Sequence, residues 1–107
     1  MVSFTCLWAD DLVRKNVTFY RGNQTGDGTK LLSVSLTSYT ILSSSNYTSK
    51  VRASTQSNYL EHFRMDLLEA IELDRQYYWC VVTISEVTST SHRRFLQVEG
   101  KFILDID

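Results

Sequence analysis

The sequence predicts an all-β fold of sandwich or barrel type, and three observations carry that expectation. Apolar and polar residues alternate in short runs broken by turn residues, which is the period-2 pattern of half-buried strands. The 107 residues include 13 Ser and 11 Thr beside frequent Val, Ile, Tyr and Phe, a mixture that suits strands with polar outer faces. There is no proline, so the turns must be built from Gly, Asn, Asp and Ser. The length fits one module, taken as residues 1–107. Hydrophobic residues make up 43% and charged residues 21%, enough apolar material for a packed core. Eleven Lys and Arg against twelve Asp and Glu leave a net charge of −1, which excludes the basic footprint of a nucleic-acid binder. Apolar runs fall well short of the roughly 20 residues that span a bilayer. Met1-Val2-Ser3-Phe4-Thr5-Cys6 also lacks the pattern of a secretory leader, so this segment is not expected to insert in a membrane.

In chain order, Val2–Cys6 alternates with Val2, Phe4 and Cys6 on one face, and Lys15–Arg21 alternates with Val17 and Phe19 inward and Asn16, Thr18 and Tyr20 outward. Gly22–Gly28 holds three of the four glycines and predicts a turn, with a hairpin return over Lys30–Ser35. Further strands are expected within Thr37–Ile41, Ser49–Ser54, Glu61–Leu68, Gln76–Ile84 and His92–Glu99. One stretch has two readings. Leu60, Phe63, Leu67, Leu68 and Ile71 match helical spacing, whereas Phe63, Met65 and Leu67 alternate as a strand that a helical turn near Ile71–Arg75 would follow. The tail Gly100–Asp107 supplies one strand more than the preceding hairpin requires.

Cys6 and Cys80 form no CxxC motif and have no histidine spaced as a partner ligand, so a structural disulfide is the economical reading and two buried free thiols the alternative. Asn16-Val17-Thr18, Asn23-Gln24-Thr25 and Asn46-Tyr47-Thr48 are acceptor triplets for N-linked glycans. Together these features point to an extracellular setting, at a cell surface or secreted. Enzymatic chemistry is not expected. His62 and His92 are isolated, Asp10-Asp11 and Glu69 with Glu72 read as solvated charges, and the glycines form neither a GxGxxG nor a Walker pattern. No GxSxG elbow occurs, and no metal or other cofactor is implied.

Asp74-Arg75-Gln76-Tyr77-Tyr78-Trp79-Cys80 resembles the E–F turn and F strand of a V-set (variable-type) immunoglobulin domain, with its Asp-x-x-x-Tyr-x-Cys pattern. The resemblance covers roughly residues 2–99 and implies a V-type β-sandwich of two antiparallel sheets. It makes Cys6 the B-strand cysteine paired with Cys80, and Tyr78 the corner tyrosine whose hydroxyl bonds back to the backbone. It also pairs Arg52 with Asp74 across the base and makes Phe63–Leu67 the E strand. Phe19 stands where such domains carry their core tryptophan, strand A has no sequence upstream of Val2, and the Gly-x-Gly bulge of antigen-receptor G strands is absent. An antibody or T-cell-receptor variable region is therefore not expected. Phe102–Ile106 is expected to cover the edge left by strand A, the alternative being that 101–106 is itself the G strand after a long loop over 85–99.

With Tyr78 and Cys80 inward, Tyr77, Trp79, Val81 and Thr83 point to the opposite face of their sheet, where Tyr20, Phe95 and Leu32 are expected to join them. An outward cluster of large rigid side chains suits a protein partner, homophilic (as a weak dimer) or heterophilic, and in V-set domains this GFCC′ face is the usual docking surface. The alternative is that Trp79 and Tyr77 are covered by the chain's own loops, Ser85–His92 in particular, or by a tail strand. A glycan on Asn16 would reach the same face. His92-Arg93-Arg94 is expected to rim the interface, since no arginine follows Cys80 on the F strand to make a sialic-acid lectin. The functional expectation is an extracellular recognition or adhesion module, with a viral decoy of the same fold and a structural spacer as alternatives.

Overall fold

The computed structural model describes residues 2–8, 15–35, 40–53, 62–84, 86–96 and 101–105. The Asp10-Asp11 pair, Leu60, Glu61, Ile106 and the parts of expected strands at 37–39 and 97–99 lie outside them. Among the described residues ten strands form two sheets: β1 Val2–Leu7, β2 Lys15–Gly22, β3 Thr29–Ser35, β4 Thr40–Ser43, β5 Val51–Ala53, β6 His62–Leu67, β7 Tyr77–Ile84, β8 Val87–Thr90, β9 Arg94–Phe95 and β10 Lys101–Asp105. One sheet runs β10-β1-β6-β5 and the other β4-β3-β2-β7-β8, with β9 also on β7.

The two sheets pack as a sandwich because each places alternate apolar side chains on its inner face. Val2, Phe4 and Cys6 of β1 and Phe63, Met65 and Leu67 of β6 meet Val17 and Phe19 of β2, Val34 of β3, and Tyr78, Cys80 and Val82 of β7, all buried. Phe4 stacks on Tyr78 at 4.4 Å between ring centroids and on Phe102 at 5.1 Å. The disulfide Cys6–Cys80 ties β1 to β7 through this core across a sequence separation of 74, which by loop entropy contributes on the order of 4 kcal/mol. Phe19 lies in register with Cys80 and is buried against that bridge's strand, the inward position expected of it.

The two-way reading of 60–73 resolves as a strand, β6, followed by a 3₁₀ turn at Glu72–Asp74. Phe63, Met65 and Leu67 all enter the core, whereas a helical stripe would also have buried Ile71, which is 57% exposed. Glu69 adopts φ 47°, a left-handed backbone that no helix continues through.

The tail closes an edge. β10 pairs with β1 in parallel, Ser3 opposite Lys101 through Leu7 opposite Asp105, while β9 takes the place beside β7. The reading of 101–106 as the strand beside β7 is thereby overturned. Alternation on β10 sends Leu104 fully into the core and leaves Ile103 43% exposed on the outer face. Leu104→Ala should therefore cost about 2–4 kcal/mol in chemical denaturation. Ile103→Ala, on the same strand, should change stability by no more than about 0.5 kcal/mol.

Candidate binding face

The sheet carrying the candidate face is fixed at one end by a buried charge cluster. Asp74 sits in the turn that leads into β7, with its side chain 2% exposed. Its Oδ1 accepts from Arg21 Nη1 at 2.6 Å, and its Oδ2 lies 2.7 Å from Lys50 Nζ and accepts from the Ile71 backbone N–H at 2.8 Å. Tyr78 Oη donates to the Asp74 carbonyl at 2.8 Å and accepts from Arg21 at 3.2 Å. This is the backbone hydrogen bond expected of a corner tyrosine. Arg21 also donates to Tyr47 Oη at 3.4 Å and lies 4.8 Å over that ring.

The expected Arg52–Asp74 pair does not form. The β5–β6 register sets Arg52 beside Asp66, so its Nε lies 3.3 Å from that carboxylate on the outside of the four-stranded sheet. Arg64 and Ser3 share the same buried carboxylate, at 3.2 and 2.9 Å. Arg21 takes the role instead. Its signal in the sequence is phase, because Val17, Phe19 and Arg21 continue one inward alternation.

Burial alone would raise the pKa of Asp74, but the hydrogen bonds from Lys50, the Ile71 N–H and Arg21 outweigh it and hold the carboxyl below its ordinary value. Burial raises the Tyr78 hydroxyl, with Arg21 opposing. Burial works against the charge on Arg21, yet Asp74, Tyr78 and Tyr47 leave it more firmly protonated than a free guanidinium. A lowered folded pKa contributes stability that is complete above the unfolded value of about 4 and lost as pH falls through the folded one. Melting temperature should therefore drop on acidification below about pH 4. Asp74→Ala, which strands Arg21, should cost about 3–5 kcal/mol at neutral pH and flatten that acid limb. Arg52→Ala, with its side chain 60% exposed, should cost no more than about 1 kcal/mol.

The outer face of the six-stranded sheet is ordered in rows by strand register. Asn16 lies between Ser35 and Thr83; Thr18 between Ser33 and Val81, with Leu42 and Thr90 extending the row; Tyr20 between Lys30 and Trp79; and Gly22, Tyr77 and Phe95 form the last. Tyr77 and Phe95 are partly buried and meet edge to face at 5.1 Å. Tyr20 stacks on Trp79 at 5.9 Å, and Tyr20, Val81 and Thr83 are partly buried.

Two expected members of the face are placed otherwise. Trp79 has the outward phase but is only 4% exposed, because the β2–β3 loop folds over it. Gly28 approaches so closely that a Cβ there would come within 2.3 Å of the indole. Arg93 completes the cover: its guanidinium lies 3.7 Å over the Trp79 ring while donating to the carbonyls of Asn23 at 2.8 Å and Gly26 at 2.6 Å. Among the described residues the cover comes from the 22–28 loop and Arg93. Arg93 pins that loop, while Arg94 and His92 are exposed. Leu32 is the second correction. It pairs with Phe19 and is fully buried in the core, and a register shift between Phe19 and Tyr20 buries Leu31 as well.

Leu42 is the residue that sequence reasoning missed. It is 65% exposed and stands in the Thr18 row, and its only signal is its pairing opposite Ser33. Ser91 carries the edge across the gap between β8 and β9, its Oγ accepting from the Cys80 N–H and its N–H donating to the Cys80 carbonyl, both at 2.9 Å. The three acceptor asparagines, Asn16, Asn23 and Asn46, are all exposed. Among the described residues no three His, Cys, Asp or Glu side chains are grouped to hold a metal, and no helix is long and apolar enough to cross a membrane.

Compared with known protein families and with curated proteins, the chain matches none. Gly28→Ala should force the loop off the indole, lowering stability by about 1–3 kcal/mol. In a Trp8→Phe background, it should also raise acrylamide quenching of the remaining Trp79 fluorescence.

Proposed function

We propose that the chain is an extracellular recognition module of V-type immunoglobulin architecture. It docks a protein partner through the aromatic end of its six-stranded sheet: Tyr77 and Phe95, with Tyr20 beside them. The observation that carries this reading is the Tyr77–Phe95 pair. These two rings face outward at the end of the sheet where the buried Asp74 cluster and the disulfide hold the backbone firm. Rigid aromatic side chains bury large area at small cost in conformational entropy, which is why they dominate binding energy at protein interfaces. Trp79 contributes from beneath, as the support on which Tyr20 stacks.

The V-type reading is supported by the inter-sheet disulfide, the Tyr78 hydroxyl on the Asp74 carbonyl and the order of strands in each sheet. The disulfide itself fits an oxidising, non-cytosolic setting. The test is binding of the disulfide-intact domain to cell surfaces by flow cytometry and to itself by sedimentation. Tyr77→Ala combined with Phe95→Ala should weaken whichever interaction is found by at least about tenfold, the equivalent of 1.4 kcal/mol. Undiminished binding by that variant would overturn the assignment of the face, and binding to neither would assign a spacer role.

A further inference from the structure

We propose that Asn16 carries an N-linked glycan that roofs the hydroxyl-lined half of the six-stranded sheet's outer face and leaves the aromatic half bare. The inference rests on the reading that the chain passes through the secretory pathway, and it sets a boundary on the docking surface.

Asn16 is an unexpected residue for its place. Asparagine is disfavoured in strands, yet this one lies in β2, which is paired on both sides, by β3 and by β7. Its side chain is exposed and makes no hydrogen bond among the described residues. The extended backbone puts Asn16 and Thr18 on the same side with Val17 in the core between them, so both reactive members of the acceptor triplet share the outer face. Asn23 and Asn46 lie off the strands, in the β2–β3 loop and in a 3₁₀ turn.

The surroundings of Asn16 fit a sugar. Its cross-strand neighbours are Ser35 and Thr83, and Ser33 and Thr18 follow in the next row. These side chains are short, so among the described residues on this row the first sugars meet no bulky obstacle. Thr18 and Ser33 bond to each other at 3.0 Å, and Thr83 and Thr88 at 3.3 Å, which ties the hydroxyls across neighbouring strands. At the rise of an extended strand, Tyr20 begins about 13 Å from Asn16, and the Gly22 row with Tyr77 and Phe95 lies about 20 Å away. A glycan rooted at Asn16 therefore covers Val81 while Tyr77 and Phe95 stay open.

The experiment uses the chain secreted from animal cells behind a cleavable leader, with a non-reducing peptide map and hydroxyl-radical footprinting. The Asn16 peptide is expected to carry glycan. Radical labelling of Val81 should rise severalfold in Asn16→Gln, while labelling of Tyr77 and Phe95 stays unchanged. Enzymatic removal of the glycan from the folded wild type reads the same change if the variant is not secreted. An unmodified Asn16 in secreted, disulfide-linked protein would overturn the proposal, as would Val81 labelling that is indifferent to the glycan. Failure of the docking reading appears separately, as undiminished binding by the Tyr77 and Phe95 double variant.

Discussion

Asp74 carries a formal charge into a place where water scarcely reaches, and the structure around it is arranged to make that tolerable. Arg21 comes from β2, Lys50 from the turn before β5, the Ile71 amide from the turn after β6, and Tyr78 from β7. A buried charge left without partners costs several kcal/mol, so these four segments are held in one mutual arrangement or the carboxylate is stranded. Two of them, β2 and β7, are the central strands of the six-stranded sheet. The orientation of Tyr20 and Tyr77 on its outer face thus depends on a contact on its inner side. Lys50 also donates to the Glu69 carbonyl at 2.8 Å, which brings the left-handed residue after β6 into the same assembly.

The disulfide and the charge cluster act at different depths. Cys6–Cys80 joins the sheets within the apolar core and acts largely by limiting the unfolded chain. The cluster acts on the native state alone, by making one packing of the turns electrostatically complete. Between them lies the Phe4–Tyr78 stack, which couples the bridge-bearing strand β1 to the hydroxyl that touches Asp74.

Much of the fold was legible in the sequence because a strand's side-chain period is short and strict. Val2, Phe4 and Cys6 inward, Phe19 beside the bridge and Tyr78 on the backbone follow from alternation or from the Asp-to-Cys pattern, the tail against β1 follows from the edge that the absent strand A leaves, and the structure agrees. The errors arise where that period is broken or where a contact is tertiary. Leu32 is inward because it pairs with Phe19 in the phase of Val34, and the register shift next to that pair buries Leu31 as well, a displacement that composition does not announce. Trp79 kept its phase but lost its exposure to a glycine loop whose path depends on Arg93, a residue far along the chain. Arg52 was matched to Asp74 by resemblance in spacing, but lateral register gave it Asp66. Leu42 was invisible as a face residue until β4 was paired with β3.

The pairing of β1 with β10 joins residues 3–7 to residues 101–105, segments far apart in the sequence. During synthesis on the ribosome β1 emerges before β6, which pairs with one of its sides. The other side stays unpaired until Lys101–Asp105 leaves the exit tunnel, so an apolar strand edge is open to stray pairing while the residues between are made. The completed sheet is thus assembled from its most distant parts, a topology that folds slowly. A nascent chain stalled before β10 is the species of this protein most exposed to aggregation and most dependent on chaperones.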